Sequence, residues 1–115
     1  MKLKNRYSFD DETAEKFCYD NVNKCIQIYF SGYFDFMVNK HLESKCKFVI
    51  SNWKRAKSKI ADREEYSSLE SNLGIISLIL DAEEDGDNLK LIVNTIEDKY
   101  IELCFFSVET FILCF

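Results

Sequence analysis

The residues whose pattern comes nearest to a known chemical motif are 81–87, which read Asp-Ala-Glu-Glu-Asp-Gly-Asp. Acids at the first, third and fifth places with glycine at the sixth are typical of the first half of a calcium-binding EF-hand loop. The twelfth place, where that loop has a bidentate glutamate, is Ile92, and both flanks alternate as strands do. We therefore predict an acidic β-turn, whose carboxylates form an anionic knob that could dock a basic cleft.

His41 is the single histidine and so the only imidazole that could serve as the base of a thiol enzyme. A nucleophilic cysteine needs a neighbouring base and a group that orients that base. His41 lies in a polar stretch, and no cysteine stands in a recognisable motif around it. We expect a solvent-facing loop histidine, no catalytic residue and no enzyme activity, with a Cys–His pair as the alternative.

The cysteines lie at positions 18, 25, 46, 104 and 114. Their number is odd, no Cys-x-x-Cys pair occurs, and one histidine is too few for the usual mixed zinc sets. Gly74 is a lone glycine and predicts no phosphate-binding loop. We expect reduced, buried thiols, no metal site and no cofactor.

One short basic run, residues 54–59, follows Trp53. An aromatic ring beside cations could stack on a nucleic-acid base. The formal net charge of −5 and the pI near 4.9 oppose that interpretation, because an acidic protein repels phosphate backbones and anionic lipid. We expect a solvated basic edge, Trp53 packed in the core or at its rim, and neither nucleic acid nor a membrane as partner.

The length of 115 residues and the apolar share of 47% are typical of one folded domain. Proline is absent, no low-complexity tract or repeat marks a linker, and no run reaches the roughly 18 apolar residues of a membrane span. The N-terminal residues have charges but no apolar stretch after them, unlike a secretory signal. We expect one domain, residues 1–115, in the cytoplasm.

Apolar residues alternate with a period of two through most of the chain, which is typical of strands. Strands are predicted at residues 24–31, 33–39, 45–51, 75–83, 88–96, 100–106 and 109–115. Gly32 separates the first two, which form either a hairpin or one strand bent at the glycine. In the strand 45–51, the predicted core face consists of Cys46, Phe48 and Ile50.

The last four predicted strands form a meander. Asp85-Gly86 predicts a tight hairpin turn, because glycine adopts positive φ at little steric cost, and residues 97–99 predict the next turn. Residues 10–19 predict a short N-terminal helix, and residues 54–73 a long surface excursion with room for a helical turn. The fold class is therefore mainly β, an antiparallel meander forming a sandwich or half-barrel with one short N-terminal helix. An α+β fold is the alternative.

A family resemblance rests on residues 46–53, a strand that runs into Asn-Trp, and on the strands at 89–95 and 100–103. With its small size, acidity and lack of a catalytic set, the chain resembles immunity proteins of bacterial polymorphic and contact-dependent toxin systems. The resemblance implies a protein that binds and neutralises a cognate toxin inside the bacterium that makes both. It also implies a partner with a basic surface, since many such toxins are nucleases.

The resemblance directs attention to acids and to aromatic anchors as toxin-binding residues. The candidate acids are Asp81, Glu83, Glu84, Asp85 and Asp87 at the hairpin tip, and Asp62, Glu64 and Glu65 in the excursion. The candidate anchors are Trp53, Tyr66 and Tyr33. The alternative function is a non-catalytic small-molecule or peptide-binding β-domain, whose cavity would use some of the ten phenylalanines and six tyrosines.

The C-terminal strand has almost no polar residue from 110 to 115. Such a strand must be central, covered, or paired with another chain, because an exposed apolar edge invites association. A homodimer through this strand is therefore a further predicted partnership.

Overall fold

The computed structural model describes residues 3–4 and 6–115, in which strands predominate and one helix is a single turn. The strands are β1 (Tyr7–Ser8), β2 (Lys16–Asp20), β3 (Cys25–Phe30), β4 (Tyr33–Asp35), β5 (Lys40–Leu42), β6 (Cys46–Ser51), β7 (Arg55–Ile60), β8 (Ser67–Ser68), β9 (Ile76–Asp85), β10 (Asn88–Thr95), β11 (Tyr100–Phe106) and β12 (Glu109–Cys114), and the helix is α1 (Leu69–Asn72). The prediction of a mainly β protein is confirmed. No helix of the described residues is long and apolar enough to cross a membrane.

The strands of the described residues form three antiparallel sheets. The five-stranded sheet has the order β8-β7-β11-β10-β9, the four-stranded sheet β12-β6-β3-β2, and the three-stranded sheet β1-β4-β5. Strands β9, β10 and β11 are the predicted meander, with positive φ at Gly86 (59°) and Asp98 (60°) in its two turns. The fourth strand of the predicted meander is placed differently, because β12 crosses to the four-stranded sheet and pairs with β6.

One hydrophobic cluster takes side chains from both larger sheets. Phe48 and Ile50 of β6 are wholly buried, as is Cys46, so the predicted core face of this strand is confirmed. Leu91 of β10 and Leu103 of β11 lie in the same cluster and are also wholly buried. The arrangement of the sheets as a sandwich or half-barrel, and the single domain, stay predictions.

The predicted N-terminal helix at residues 10–19 is wrong. Lys16–Asp20 is instead the edge strand β2, which pairs with β3 from Lys16 opposite Tyr29 to Asp20 opposite Cys25. Phe17 and Tyr19, which alternate along β2, pack against the core. Aromatic residues favour strands over helices, and pairing with β3 outweighs the weak helical periodicity of this segment.

Residues 54–73 were predicted as a surface excursion with room for a helical turn. The helical turn, α1, is confirmed, whereas the prediction is wrong for the first part of this segment, which is a strand. Arg55–Ile60 is β7, which lies inside the five-stranded sheet between β8 and β11. Ser58 of β7 points inward and is wholly buried. Because serine is polar, the sequence of β7 does not show the alternation of apolar and polar residues that is typical of a strand. The Ser58 hydroxyl donates to the carbonyl oxygen of Ser68 at 2.7 Å and accepts from the Asn72 amide at 3.0 Å, so its burial leaves no group unsatisfied.

Gly32 marks a change of sheet, so neither the predicted hairpin nor the bent strand forms. Strand β3 pairs with β2 and β6, whereas β4 pairs with β1 and β5. A Cβ atom at Gly32 would lie 2.9 Å from Cε1 of His41 and 2.9 Å from the carbonyl oxygen of Leu42. Glycine is needed here because the backbone passes too close to β5 for a side chain.

Candidate protein-binding site

The five predicted acids of the hairpin tip lie along β9 and in the turn after it. Asp81, Glu83, Glu84 and Asp85 belong to β9, Asp87 lies in the turn, and all are exposed. Among the described residues, only the Lys90 ammonium forms an ion pair with one of these acids, 3.6 Å from the Glu83 carboxylate. An exposed pair of this kind contributes little to stability, so the tip keeps a negative potential.

A further carboxylate, Glu109, adds to the tip and was not among the predicted acids. A depression of about 270 Å³ is lined by Glu84, Asp87 and Glu109 together with Lys4. The backbone N–H of Val108 donates to the carbonyl oxygen of Asp87 at 2.8 Å, which holds the start of β12 beside the hairpin tip. Because this contact joins two sheets, the sequence alone could not assign Glu109 to the site.

An apolar turn connects β4 to β5. Phe36, Met37 and Val38 are 39%, 72% and 50% exposed, although residues 36–39 were predicted to continue a strand. Beneath them, the Asp35 carboxylate is 2% exposed. Asp35 is the last residue of β4, and the turn that follows it presents three apolar side chains to solvent.

Asp35 organises this turn through three hydrogen bonds. The Arg6 guanidinium donates to both carboxylate oxygens at 2.9 and 2.8 Å, and the backbone N–H of Met37 donates to Oδ1 at 2.9 Å. The hydrogen bond from Arg6 holds the pKa of Asp35 below its usual range, although partial desolvation acts in the opposite direction. A turn fixed in this way loses little conformational entropy when it binds a partner.

The hairpin tip contacts Lys4, and the apolar turn contacts Arg6, two residues further along the chain. The backbone N–H of Lys4 donates to Oε1 of Glu84 at 2.5 Å, and the N–H of Phe36 donates to the carbonyl oxygen of Arg6 at 2.7 Å. Two residues of extended chain span about 7 Å, so the turn and the tip lie within about 20 Å of each other. A standard protein interface of about 800 Å² per partner is wide enough to cover both. We call the two together the acidic-apolar surface: Phe36, Met37, Val38, Glu84, Asp85, Asp87 and Glu109.

Replacement of Asp35 by asparagine is expected to reduce the pH dependence of stability in acid. The folded-state pKa of Asp35 is lowered, so its stabilising effect is present above the unfolded-state pKa of about 4 and is lost as the pH falls through the folded value. Urea midpoints measured between pH 7 and pH 2 should therefore fall less steeply for Asp35→Asn than for the wild type. Asp62→Asn, in an exposed loop, is the matched control, and identical slopes for all three proteins would contradict the assignment.

Of the excursion acids, Asp62 lies in the turn after β7, at the opposite end of the five-stranded sheet from Asp87 in the hairpin turn. Arg55 at the start of β7 faces Phe106, and Ile60 at its end faces Ile101, whereas the tip follows the Phe105 end of β11. The chain then turns back along β7, and Tyr66, one residue after Glu65, lines one depression with Glu83 and Asp85. The structure thus brings the predicted anchor Tyr66 beside two of the hairpin acids, and it places Asp62 apart from the hairpin turn.

The predicted aromatic anchors are placed differently from one another. Trp53 is 6% exposed and packs against Phe105, with ring centroids 5.1 Å apart, so the core-packing interpretation of this residue is confirmed. Tyr33 is also buried. Tyr66 is 43% exposed, but its hydroxyl donates to the Glu102 carboxylate and the Lys57 ammonium lies 3.9 Å from its ring centroid. Of the three, only Tyr66 has a surface that a partner could reach.

The contacts of Tyr66 belong to the outer face of the five-stranded sheet, where the predicted basic run also lies. The buried Glu102 carboxylate has the Lys90 ammonium at 3.8 Å and the Cys104 thiol at 3.7 Å. Burial raises the pKa of Cys104, and the nearby Glu102 charge raises it further, so this thiol stays protonated at neutral pH. A protonated thiol is a weak nucleophile, and the group acts as a network that neutralises Glu102.

The structure shows no hydrogen bond between His41 and a cysteine of the described residues. All five cysteines are free; Cys46 and Cys104 are buried, whereas Cys114 is exposed, contrary to the expectation that all were buried. Burial, with Cys114 beside it, raises the pKa of Cys46 to about 12. His41 pairs through Nε2 with the Glu12 carboxylate, and no described cysteine is hydrogen-bonded to its ring. In the same described residues, no group of three or more His, Cys, Asp or Glu side chains is arranged to hold a metal ion.

Comparisons with protein families, with curated proteins and with solved structures found no match for this chain. On the described residues, the acidic-apolar surface combines exposed apolar side chains, a supported turn and several carboxylates, which is an arrangement suited to binding another protein.

Proposed function

We propose that this protein is an immunity-type binding protein, which neutralises a cognate toxin in the cytoplasm of the bacterium that makes both. The observation that carries the proposal is the acidic-apolar surface, where a turn held by buried Asp35 presents Met37 within about 20 Å of the hairpin tip. The partner is a toxin with a basic surface around an apolar recess. We propose that this binding involves no catalytic step, cofactor, nucleic acid or membrane.

Apolar and acidic residues have different roles in such an interface. Binding energy concentrates in a few well-packed, desolvated side chains near the centre, and the surrounding contacts exclude water from them. Phe36, Met37 and Val38 are suited to the centre because they are exposed and apolar. Carboxylates at the rim chiefly raise the association rate and select a basic partner, so Asp85 and Asp87 are suited to that role.

The size of the surface depressions favours a protein partner over a small molecule. Ligand pockets usually enclose about 300 to 1,000 Å³. The depression between Lys57 and Tyr66 has a volume of about 240 Å³, and the one beside Glu84 about 270 Å³. The small-molecule form of the alternative function therefore has less support from the geometry, whereas binding of a peptide does not depend on these volumes.

We also propose that the two larger sheets face each other as the layers of a sandwich. Ile28 and Phe48 from the four-stranded sheet share a buried cluster with Leu91 and Leu103 from the five-stranded sheet. Such sharing is expected when the inner faces of two sheets interdigitate.

The function is tested by co-expression with the protein encoded immediately upstream. That protein alone is expected to stop growth, and co-expression of this chain is expected to restore it. Purification of either protein should then recover both at low salt. An upstream protein that is toxic and is neither bound nor neutralised by this chain would contradict the proposal.

Charge reversal at the hairpin tip is expected to slow association with the toxin. Removal of two steering carboxylates in Asp85→Lys/Asp87→Lys should lower the association rate constant about tenfold at low salt, with a smaller effect near 1 M salt, where charges are screened within about 3 Å. Stopped-flow mixing with the upstream protein measures this rate constant. Asp62→Lys/Glu97→Lys, in exposed turns at the other end of the sheet, is the matched control. Equal slowing by both pairs would show that net charge rather than the tip directs association.

A further inference from the structure

The C-terminal strand β12 is an edge strand with an apolar outer face. It pairs with β6 on one side, and no other described strand pairs with it. Phe111, Leu113 and Phe115, which alternate along the chain, are 47%, 46% and 68% exposed. Glu109 at the start of β12 is its one charged residue, and from Thr110 to Phe115 the edge lacks the charges that usually prevent edge-to-edge association.

The direction of the free backbone groups of β12 follows from its pairing with β6. The backbone N–H of Phe115 donates to the carbonyl oxygen of Lys45 at 2.9 Å, and Cys114 lies opposite Cys46. In an antiparallel pair, alternate residues direct both backbone groups toward the partner strand. Phe115, Leu113 and Phe111 therefore bond to β6. The intervening residues, Thr110, Ile112 and Cys114, direct their N–H and C=O groups away from it.

A second copy of the same strand is complementary to these groups. If a two-fold axis passes beside Ile112, the two Ile112 residues face each other and Thr110 faces Cys114 of the other copy. This register gives six backbone hydrogen bonds, because each of these residues exchanges two bonds with its opposite number. It also places Phe111 directly against Leu113 of the other copy on the apolar outer face, where cross-strand apolar pairs stabilise a sheet.

We propose that two copies of this protein pair through their β12 strands in this register and so join the four-stranded sheets into one continuous sheet. The other long edge does not offer the same partner surface, because β9 has acids at Asp81, Glu83 and Asp85 that would repel a second copy. The edge strand β2 has charged residues at both ends, Lys16 and Asp20. A self-complementary edge closes a two-fold dimer, whereas pairing of unlike edges would produce open chains.

We expect the dimer to be weak and reversible, because its interface is small. The exposed parts of Phe111, Leu113 and Phe115 amount to on the order of 300 Å² per copy. This is well below the roughly 800 Å² per partner of a standard stable interface. Glu109, at the start of β12, also belongs to the acidic-apolar surface, so the dimer contact borders the proposed toxin-binding surface. The two proposals are tested by different measurements, since self-association needs no toxin.

Sedimentation velocity of the purified chain tests the dimer. Between about 1 µM and about 1 mM, the weight-average mass is expected to rise from 13.6 kDa toward twice that value. Leu113→Lys places a charge beside the two-fold axis and should keep the protein monomeric throughout this range. Ile96→Lys changes an apolar residue that is 64% exposed in a turn of the other large sheet, and it should associate as the wild type does.

A second variant separates loss of pairing from loss of folding. Thr110→Pro removes an N–H that points away from β6, so it should abolish association while leaving the thermal midpoint at about 1 µM unchanged; proline is tolerated where an edge N–H faces solvent. A wild type that stays monomeric at about 1 mM would overturn the proposal. It would be overturned equally by a Leu113→Lys variant that associates normally, or by open-ended polymers in place of a dimer.

Discussion

Replacement of Phe48 by alanine is expected to lower the free energy of unfolding by about 3 to 5 kcal/mol. Phe48 is wholly buried on β6, between Ile28 of β3 and Ile112 of β12, and its ring lies 6.1 Å from that of Phe9. Strands on both sides hold the backbone in place, so the neighbouring side chains cannot collapse fully into the void. The loss is a large part of the roughly 5 to 15 kcal/mol by which a domain of this size is stable.

Urea unfolding at a concentration where the chain is monomeric measures this loss. Phe111→Ala is the matched control, because Phe111 lies on β12 beside the same strand but is 47% exposed. Its replacement is expected to cost less than about 1 kcal/mol. Similar losses for the two variants would contradict the assignment of the Phe48 face to the core.

Replacement of Met37 by aspartate is expected to weaken the complex with the upstream toxin by about 30-fold or more, the effect of a hot-spot residue worth about 2 kcal/mol. Met37 is 72% exposed in the free protein, so its replacement should leave folding unchanged. In the complex, a carboxylate at this place would be desolvated without a hydrogen-bond partner. The loss should therefore appear mainly as faster dissociation.

Calorimetric titration of the upstream protein measures the affinity. Ile96→Asp is the matched control, since Ile96 is 64% exposed in the β10–β11 turn, at the end of the five-stranded sheet away from the hairpin tip. Unchanged affinity for Met37→Asp would remove the apolar turn from the proposed interface. A loss that Ile96→Asp shares would indicate a general effect of added negative charge.

Features of the fold that depend on neighbouring residues could be predicted from the sequence. The β9–β10 turn is one, because Asp85-Gly86 is a residue pair that tight turns favour, and Gly86 adopts a φ of 59° at little steric cost. The core face of β6 is another, because Phe48 and Ile50 alternate with Lys47 and Ser51. In both cases the residue type and the local spacing determine the structure.

Features that depend on distant residues were mispredicted. Strand β7 looks polar because Ser58 is inward, and its burial is possible only because Ser68 and Asn72 supply hydrogen bonds. Strand β2 exists because β3 offers it an edge, and local propensity does not reveal that edge. Pairing partners of this kind are brought together by the whole sheet, so they leave no mark on the spacing of nearby residues.

In the candidate site, too, features set by neighbouring residues could be predicted and features set by distant residues could not. The acids of the hairpin tip adjoin one another in the sequence and were predicted together. The apolar turn was predicted as strand, because it depends on the pairing of Asp35 with Arg6 across 29 residues of sequence. The position of Tyr66 beside Glu83 and Asp85 likewise follows from the pairing of β7 with β8 and β11, which the sequence does not specify.

The binding role of the acidic-apolar surface is tested most directly by amide hydrogen exchange of the chain alone and in complex with the upstream toxin. Exchange should slow in the complex at residues 36–39 and 84–87, and it should be unchanged at residues 62–65 and 96–99. Slowing at residues 62–65 with none at residues 36–39 would contradict the proposed surface. So would a toxin that is neutralised by this chain without slowing exchange at the hairpin tip and the apolar turn.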